Sequence, residues 1–228
     1  METLGWKAVP DWIADNPETV AEHLFDYLAS NVETYLGRYF EPLAAQAARD
    51  RFDTYDLAAL WSLSVTVNKL GRKQLLHDKA EILSLLIAKC RRTIGDKSRG
   101  QLLTDKELDR LTSADSPFVE LWHQLNGIES VGTTKSSKLM AAKFPNVVPV
   151  WDDQVSQLLS GNGKIWLPMH ELLRTGKPAV ASLLMSPPTP DRPKHERRTF
   201  RKALRRVPVL RRLDIVLWME AQSRSRPR

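Results

Sequence analysis

The sequence of 228 residues holds one cysteine, Cys90. A single thiol excludes an internal disulfide, a zinc ribbon and a four-cysteine iron–sulfur cluster, and it fits a reducing compartment. Cys90 ends an apolar-rich run at 82–90, where a small buried hydrophobe is the expected role rather than a nucleophile. Long apolar runs are missing too. The longest, 82–88, is broken by Ser84 and falls far short of the roughly 20 residues that a bilayer requires. Glu2, Lys7, Pro10 and Asp11 stand where the core of a secretory leader would lie, so the expected location is cytoplasmic, in association with the nucleoid, with no membrane partner. His23, His77, His123, His170 and His195 show no metal-ligand spacing. There is no P-loop and no nucleophile elbow. Neither a metal nor a cofactor is expected. Alternating strand–helix units, hairpin sets and internal repeats are all absent.

What is present has the composition of a globular chain, with 42% apolar and 27% charged residues. Its length suits one large domain or two small lobes. Seven Trp stand against four Tyr. In a helical protein most of these Trp belong in the core, and a minority serve as flat stacking surfaces. The net charge of +7 points to a polyanionic partner, either nucleic acid or an acidic membrane face.

The periodicity is helical throughout. Val20, Leu24, Tyr27 and Leu28 mark one face of a helix over 17–36. Asp53 caps a helix expected to reach about Val67, with Leu57, Leu60, Trp61 and Ser64 on one side. A third run, 73–93, carries Leu75, Leu76, Ile82, Leu85, Leu86 and Lys89, and the 95–100 segment breaks it. Thr104 and Glu107 form a capping box. Ser116 before Pro117 opens a helix that Gly127 ends. A helix at about 133–143 follows and stops at Phe144-Pro145. The piece 147–150 is extended, and Asp152 or Asp153 begins the next helix. Gly161-Asn162-Gly163 reads as a loop and 186–193 as proline-rich turns. Helices at 199–204 and 210–222 complete the chain before a basic, frayed tail at 223–228. The expected architecture is all-α. Residues 1–222 read as a single helical domain, and two helical lobes around a cleft also fit this pattern.

Two segments carry functional weight. In the first, residues 117–143, an apolar helix meets a tight glycine turn and then a helix rich in small residues (Ser136, Ser137, Ala141, Ala142), which lets two helices cross closely. The turn offers the N–H groups of Val131, Gly132, Thr133 and Thr134 at a helix start, a ready anion site. Gly132 admits a phosphate to the backbone, and Thr133, Thr134 and Lys135 add hydroxyls and a charge. Such contacts position DNA without reading bases. The second segment, 192–212 within the basic C-terminal part 192–222, holds Arg192, Lys194, Arg197, Arg198, Arg201, Lys202, Arg205, Arg206, Arg211 and Arg212. Arg198, Arg201, Lys202 and Arg205 share one helical side. That side is either a solvated face or a phosphate-binding one. Val207-Pro208 and the lack of a bulky apolar face argue against a membrane-surface helix.

The stretch 125–153, LNGIESVGTTKSSKLMAAKFPNVVPVWDD, resembles the helix-hairpin-helix of the DNA glycosylase superfamily. That family carries an apolar-Pro-Gly-apolar-Gly hairpin and, about twenty residues later, a catalytic aspartate at the start of a helix. Residues 128–132 occupy the hairpin, and Asp152 occupies the place of the aspartate. Glu129-Ser130 replaces Pro-Gly. Thr134 stands where strand-cutting relatives have lysine, with Lys135 one residue out of register. The resemblance therefore implies a monofunctional enzyme without a Schiff-base step. The chain is also similar to an uncharacterised bacterial domain family that shares Ser137-Lys138-Leu139, the piece 148–152 and the piece 210–219 with its Arg211 and Asp214.

The resemblance implies a DNA-binding protein that hydrolyses the N-glycosidic bond of a flipped damaged or modified base. Asp152 would stabilise the developing positive charge and orient water. The alternative role for Asp152 is helix capping alone, and the alternative for the whole chain is a DNA-binding module without chemistry. Trp151 is either a core anchor or a stacking plate beside the base. Trp61 and Trp122 are expected in the core, though a flipped base needs an aromatic wall that one of them would supply.

Overall fold

The computed structural model describes residues 3–29, 35–95, 97, 100–159, 166–175 and 178–225, and the expected loop at 161–163 and the last three residues of the tail lie outside them. Among the described residues every regular element is helical and there is no strand. The chain forms two compact units, Met1–Tyr35 with Pro149–Arg228, and Leu36–Val148. In chain order the α-helices are α1 (Val9–Asp15) and α2 (Pro17–Leu28) of the first unit. Next come α3 (Phe40–Ala44), α4 (Thr54–Ser62), α5 (Lys69–Lys73), α6 (Ala80–Ile94), α7 (Asp105–Thr112), α8 (Pro117–Asn126) and α9 (Gly132–Lys143) of the second. The first unit resumes with α10 (Asp153–Leu158), α11 (Trp166–Thr175), α12 (Pro178–Met185), α13 (Lys194–Leu204) and α14 (Val209–Ser225).

In the first unit α14 is the central rod. It packs against α2, α10, α11 and α12, and its residues from Val209 to Leu217 are all buried. Val20, Leu24, Tyr27 and Leu28 of α2 are buried as their spacing predicts. The polar groups that α14 takes inside are matched. Arg211 pairs with Asp214 and donates to the Tyr27 hydroxyl at 2.7 Å. Glu220 accepts from Arg224 at 2.7 Å and lies 3.1 Å from His23 Nε2. Burial works to raise the Glu220 carboxyl, but His23 and Arg224 outweigh it and hold the group below the usual range.

In the second unit α9 packs against α3, α4 and α8, and every residue from Ser136 to Lys143 is buried. Ser136, Ser137, Ala141 and Ala142 are the small side chains that permit this close packing. The sequence-read caps are all formed. Asp53 and Asp56 make a capping box on α4. Thr104 and Glu107 make one on α7, and Ser116 Oγ accepts from Phe118 N at 3.2 Å.

Five expectations are corrected. The helix read over 17–36 ends at Leu28, and α14 continues to Ser225, into the tail expected to be frayed. Helix α4 stops at Ser62, short of Val67, because Ser64 turns to φ +59. Of the apolar residues read into the 73–93 run beyond Leu76, Leu86 is buried but Ile82 and Leu85 are not. Residues Gln74–Asp78 form a π-helical turn, whose extra residue shifts the phase of the helix that follows. Leu83, Leu86, Ile87, Cys90 and Ile94 therefore point inward, while Ile82 and Leu85 are exposed. The helix expected at 199–204 begins five residues earlier, at Lys194. Cys90 is fully buried, and burial pushes its thiol up to about 12, which leaves no thiolate for chemistry.

Candidate nucleic-acid interface

The turn between α8 and α9 is held from both sides. Ser130 and Gly132 adopt φ of +59 and +58. Val131 is buried between them, and its N–H donates to Ile128 O at 3.1 Å. The expectation that Val131 offers a free N–H is thereby corrected. The N–H groups of Gly132, Thr133 and Thr134 remain at the open start of α9, where no intrahelical acceptor exists and no side chain caps the helix. Gly132 and Thr133 are exposed, and nothing lies within 4 Å of a Cβ built on Gly132. Lys135 Nζ donates back to Ser130 O, so its charge sits over the turn. The carboxylate-bearing Glu129 is exposed beside them.

The segment before the π turn supplies the other side of this support, which the sequence reading missed. Asn68 N donates to Ser130 Oγ at 2.9 Å, and Gln74 Oε1 accepts from Glu129 N at 2.8 Å. Gly71 sits so close that an added Cβ would stand 2.1 Å from Glu129 O. The only sequence signal is the Asn68-x-x-Gly71 pattern, whose Asn68 Oδ1 caps Gly71 N at 2.7 Å.

Helix α13 presents the basic surface. Lys194, Arg197, Arg198, Arg201 and Lys202 are exposed, and so are Arg205 and Arg206 just past its end. All four residues of the side read from spacing, Arg198, Arg201, Lys202 and Arg205, are exposed. Phe200 is the buried residue of α13, and it packs on Phe25 of α2 at a ring separation of 5.6 Å. Arg192 reinforces the contact, bonding Glu22 at 2.7 Å and lying over the Phe25 ring.

Two of the ten basic residues do not belong to that surface. Arg211 and Arg212 are buried. Arg212 donates to the carbonyls of Leu184 at 2.8 Å, Met185 at 2.9 Å, Leu204 at 2.8 Å and Val207 at 3.0 Å. The first three belong to the ends of α12 and α13, where carbonyls have no intrahelical donor, and Val207 lies in the turn after α13. One guanidinium thus ties both helix ends to α14 and fixes the base of the cationic helix.

Asp152 is the N-cap of α10, its Oδ1 accepting from Gln154 N at 3.0 Å. It is half-buried, and Trp151 before it is buried. Trp122 is half-buried. Trp61 is 58% exposed, which corrects its expected place in the core. The physical reason is that α4 turns Asp56, Ala59 and Leu60 inward. The turn residues at 131–135, Trp61 and Trp122 belong to the second unit, and Trp151, Asp152 and the α13 cations to the first. No group of acids, histidines or cysteines among the described residues is arranged to hold a metal ion. No described helix is long and apolar enough to cross a membrane.

A family model matches residues 20–221, from α2 into α14. The chain belongs to the family of unknown function DUF6308. That match spans both units and includes the α8–α9 turn, Asp152, α13 and Arg212. No curated protein and no solved structure matches the chain.

One further polar pair of this DUF6308 chain was not legible beforehand. Lys143, the last residue of α9, lies 2.6 Å from Asp56 of α4, with side-chain exposures of 2% and 0%. Lys143 Nζ also donates to Ala48 O at 2.7 Å, and Asp56 Oδ2 accepts from Asp53 N at 2.8 Å. Burial outweighs the mutual attraction. It pushes the Asp56 carboxyl up to about 6 and holds the Lys143 ammonium below the ordinary lysine range.

Proposed function

We propose that the protein binds duplex DNA, with the exposed cations of α13 and the N–H groups that open α9 as its phosphate contacts. The observation that carries this reading is α13 itself. Five of its seven exposed residues are Arg or Lys, and it is anchored inward by Phe200 and clamped at its end by Arg212. A rigid row of cations neutralises phosphates without the entropy cost of ordering a flexible tail. No large apolar side chain of α13 is exposed, so the helix lacks the apolar face that insertion into a lipid surface requires. The α8–α9 turn adds contacts of the kind that set register on a duplex rather than read its sequence. Fluorescence anisotropy with a labelled duplex tests this directly. Binding that weakens when Arg201 and Arg205 become Ala supports the proposal, and equal binding by the variant overturns it.

A second reading concerns chemistry, and the position of Asp152 favours it. The residue follows a buried Trp151 and is held at a helix start by Gln154 N. Together with the resemblance of the hairpin, this supports a monofunctional glycosylase in which Asp152 faces the sugar of an extruded nucleotide. The C1′–N bond breaks with its electron pair leaving on the base, which takes up a proton. Water adds to C1′ and passes its proton to Asp152, whose carboxylate stabilises the cationic sugar. Trp151, beside Asp152 in the same unit, is the aromatic candidate for the base. Formation of abasic sites in duplexes carrying modified bases, lost in Asp152→Asn, supports this reading. Full activity in that variant overturns it.

A further inference from the structure

The second unit contains a cavity of about 330 Å³ at the opposite end of α9 from the turn. Eleven residue steps along α9 separate the two, about 17 Å at 1.5 Å per residue. The walls come from the end of α3 and the residues after it, the end of α6, Lys97, and the end of α9 with the residues that follow. Four cations, Arg49, Arg91, Lys97 and Lys143, line it from these separate segments, and no carboxylate is among the described residues lining it. The rest of the lining is small and mostly apolar, including five alanines.

Three of these cations are held in place, and Arg49 is exposed. Arg91 donates to Arg49 O at 3.0 Å and to Lys143 O at 3.3 Å, and it lies over the Phe144 ring at 5.4 Å. Lys143 is fixed by Asp56 and Ala48 O. Lys97 pairs with Glu107, and Asn146 Nδ2 donates to Lys97 O at 2.6 Å, joining two of the walls. The acids that balance Lys97 and Lys143 belong to α7 and α4 and are not part of the lining. A pre-formed cleft of this size, with few convergent charges on an apolar background, has the character of a small-molecule site.

We propose that this cavity binds a small phosphorylated molecule. Its phosphate would lie against Arg49 and Arg91, and its organic part against the alanine wall. A lone phosphate would leave most of the volume empty. Guanidinium groups, one of them fixed by its bonds to two carbonyls, favour a phosphate over a singly charged carboxylate. The site is separate from the proposed DNA contacts, since it lies at the far end of α9 and shares no residue with the turn or with α13.

The test is calorimetric titration of the whole chain with inorganic phosphate, pyrophosphate and AMP, at an ionic strength held constant with KCl. Two variants address the cavity. Ala45→Glu places a carboxylate among the cations at an exposed position of the lining, and Arg49→Ala removes an exposed donor. A third, Arg198→Ala with Arg201→Ala and Arg205→Ala, removes the competing cations of α13. The expected result is binding of AMP or pyrophosphate that Ala45→Glu weakens about tenfold or more, that Arg49→Ala weakens less, and that the α13 variant leaves unchanged. A 5′-phosphorylated dinucleotide distinguishes a nucleic-acid end from a free phosphate ester, and tighter binding than AMP assigns the site to the former. Absence of binding up to about 10 mM for all three probes overturns the proposal. So does binding lost in the α13 variant but kept in Ala45→Glu.

Discussion

Ser130 and Gly132, on either side of the buried Val131, hold the same left-handed backbone, at φ +59 and +58. In the resembling hairpin both of these places are glycine. Here the first is serine, and its conformation is kept at a cost of about 1–2 kcal/mol, the usual penalty for a side chain in this region. The hydrogen bond from Asn68 N to Ser130 Oγ offsets part of that cost. The turn's shape therefore survives the loss of the Pro-Gly pair, which the residue types alone do not reveal.

At Gly132 the same conformation has no compensating bond, and open space surrounds the Cα. Gly132→Ala should therefore lower stability by about 1–2 kcal/mol through backbone strain alone. Ser130→Gly should change stability by less than about 1 kcal/mol, relief of strain offsetting the lost bond. Urea unfolding measures both. A neutral Gly132→Ala would mean that the turn relaxes without penalty.

Arg212 donates to four carbonyls, those of Leu184 and Met185 at the end of α12, of Leu204 at the end of α13 and of Val207 in the turn after it. Arg212→Ala is expected to cost about 4 kcal/mol or more, in the range reserved for broken buried networks. Arg212→Lys keeps the charge but cannot match the planar fork, and about 2 kcal/mol is the expected loss. Thermal melts check both. A loss under 1 kcal/mol for Arg212→Ala would remove Arg212 as the clamp of α13.

The Asp56–Lys143 pair is costly to break and not especially favourable to keep. Lys143→Met alone strands a buried carboxylate, at about 3–5 kcal/mol. In the double variant with Asp56→Asn the loss should be clearly smaller than the sum of the single losses, because no charge is left behind. The pH dependence has a definite sign. The Asp56 carboxyl binds its proton more tightly in the folded chain, at about 6, than at its ordinary 3.8. Its contribution to stability therefore falls as pH rises between those values, by up to about 1.4 kcal/mol per pH unit. The stability of the natural chain relative to Asp56→Asn should decline from pH 4 to 6. A relative stability that rises over that range would show that the carboxyl is ionised throughout.

The helices were legible because local rules decide them: Asp53, Thr104 and Ser116 cap where their residue types predict, and the small residues of α9 are buried as the crossing requires. Phase was lost where a local irregularity intervened. The π turn at Gln74–Asp78 shifts the phase of the helix after it, so Ile82 and Leu85 of the apolar run are exposed while Leu83 and Ile87 are buried. Charge was misread where tertiary structure assigns it. Arg211 and Arg212 look like two more members of a basic run, and only packing against α2, α12 and the end of α13 reveals that they are interior. The Asp56–Lys143 pair joins residues far apart in sequence, each of an ordinary type, and carries no local signal. Asp152 was legible as a cap, and its cap is present. Its chemistry is a matter for the abasic-site assay.

The most direct measurement of the DNA-binding proposal is the salt dependence of duplex affinity. Each phosphate contact removed should lower the slope of log K against log salt by about 0.9. For the variant with Arg198, Arg201 and Arg205 changed to Ala, the expected slope is shallower by about 2–3, with affinity down at all salt concentrations. An identical slope for variant and natural chain, or duplex binding that does not respond to salt, would contradict α13 as the phosphate-binding surface.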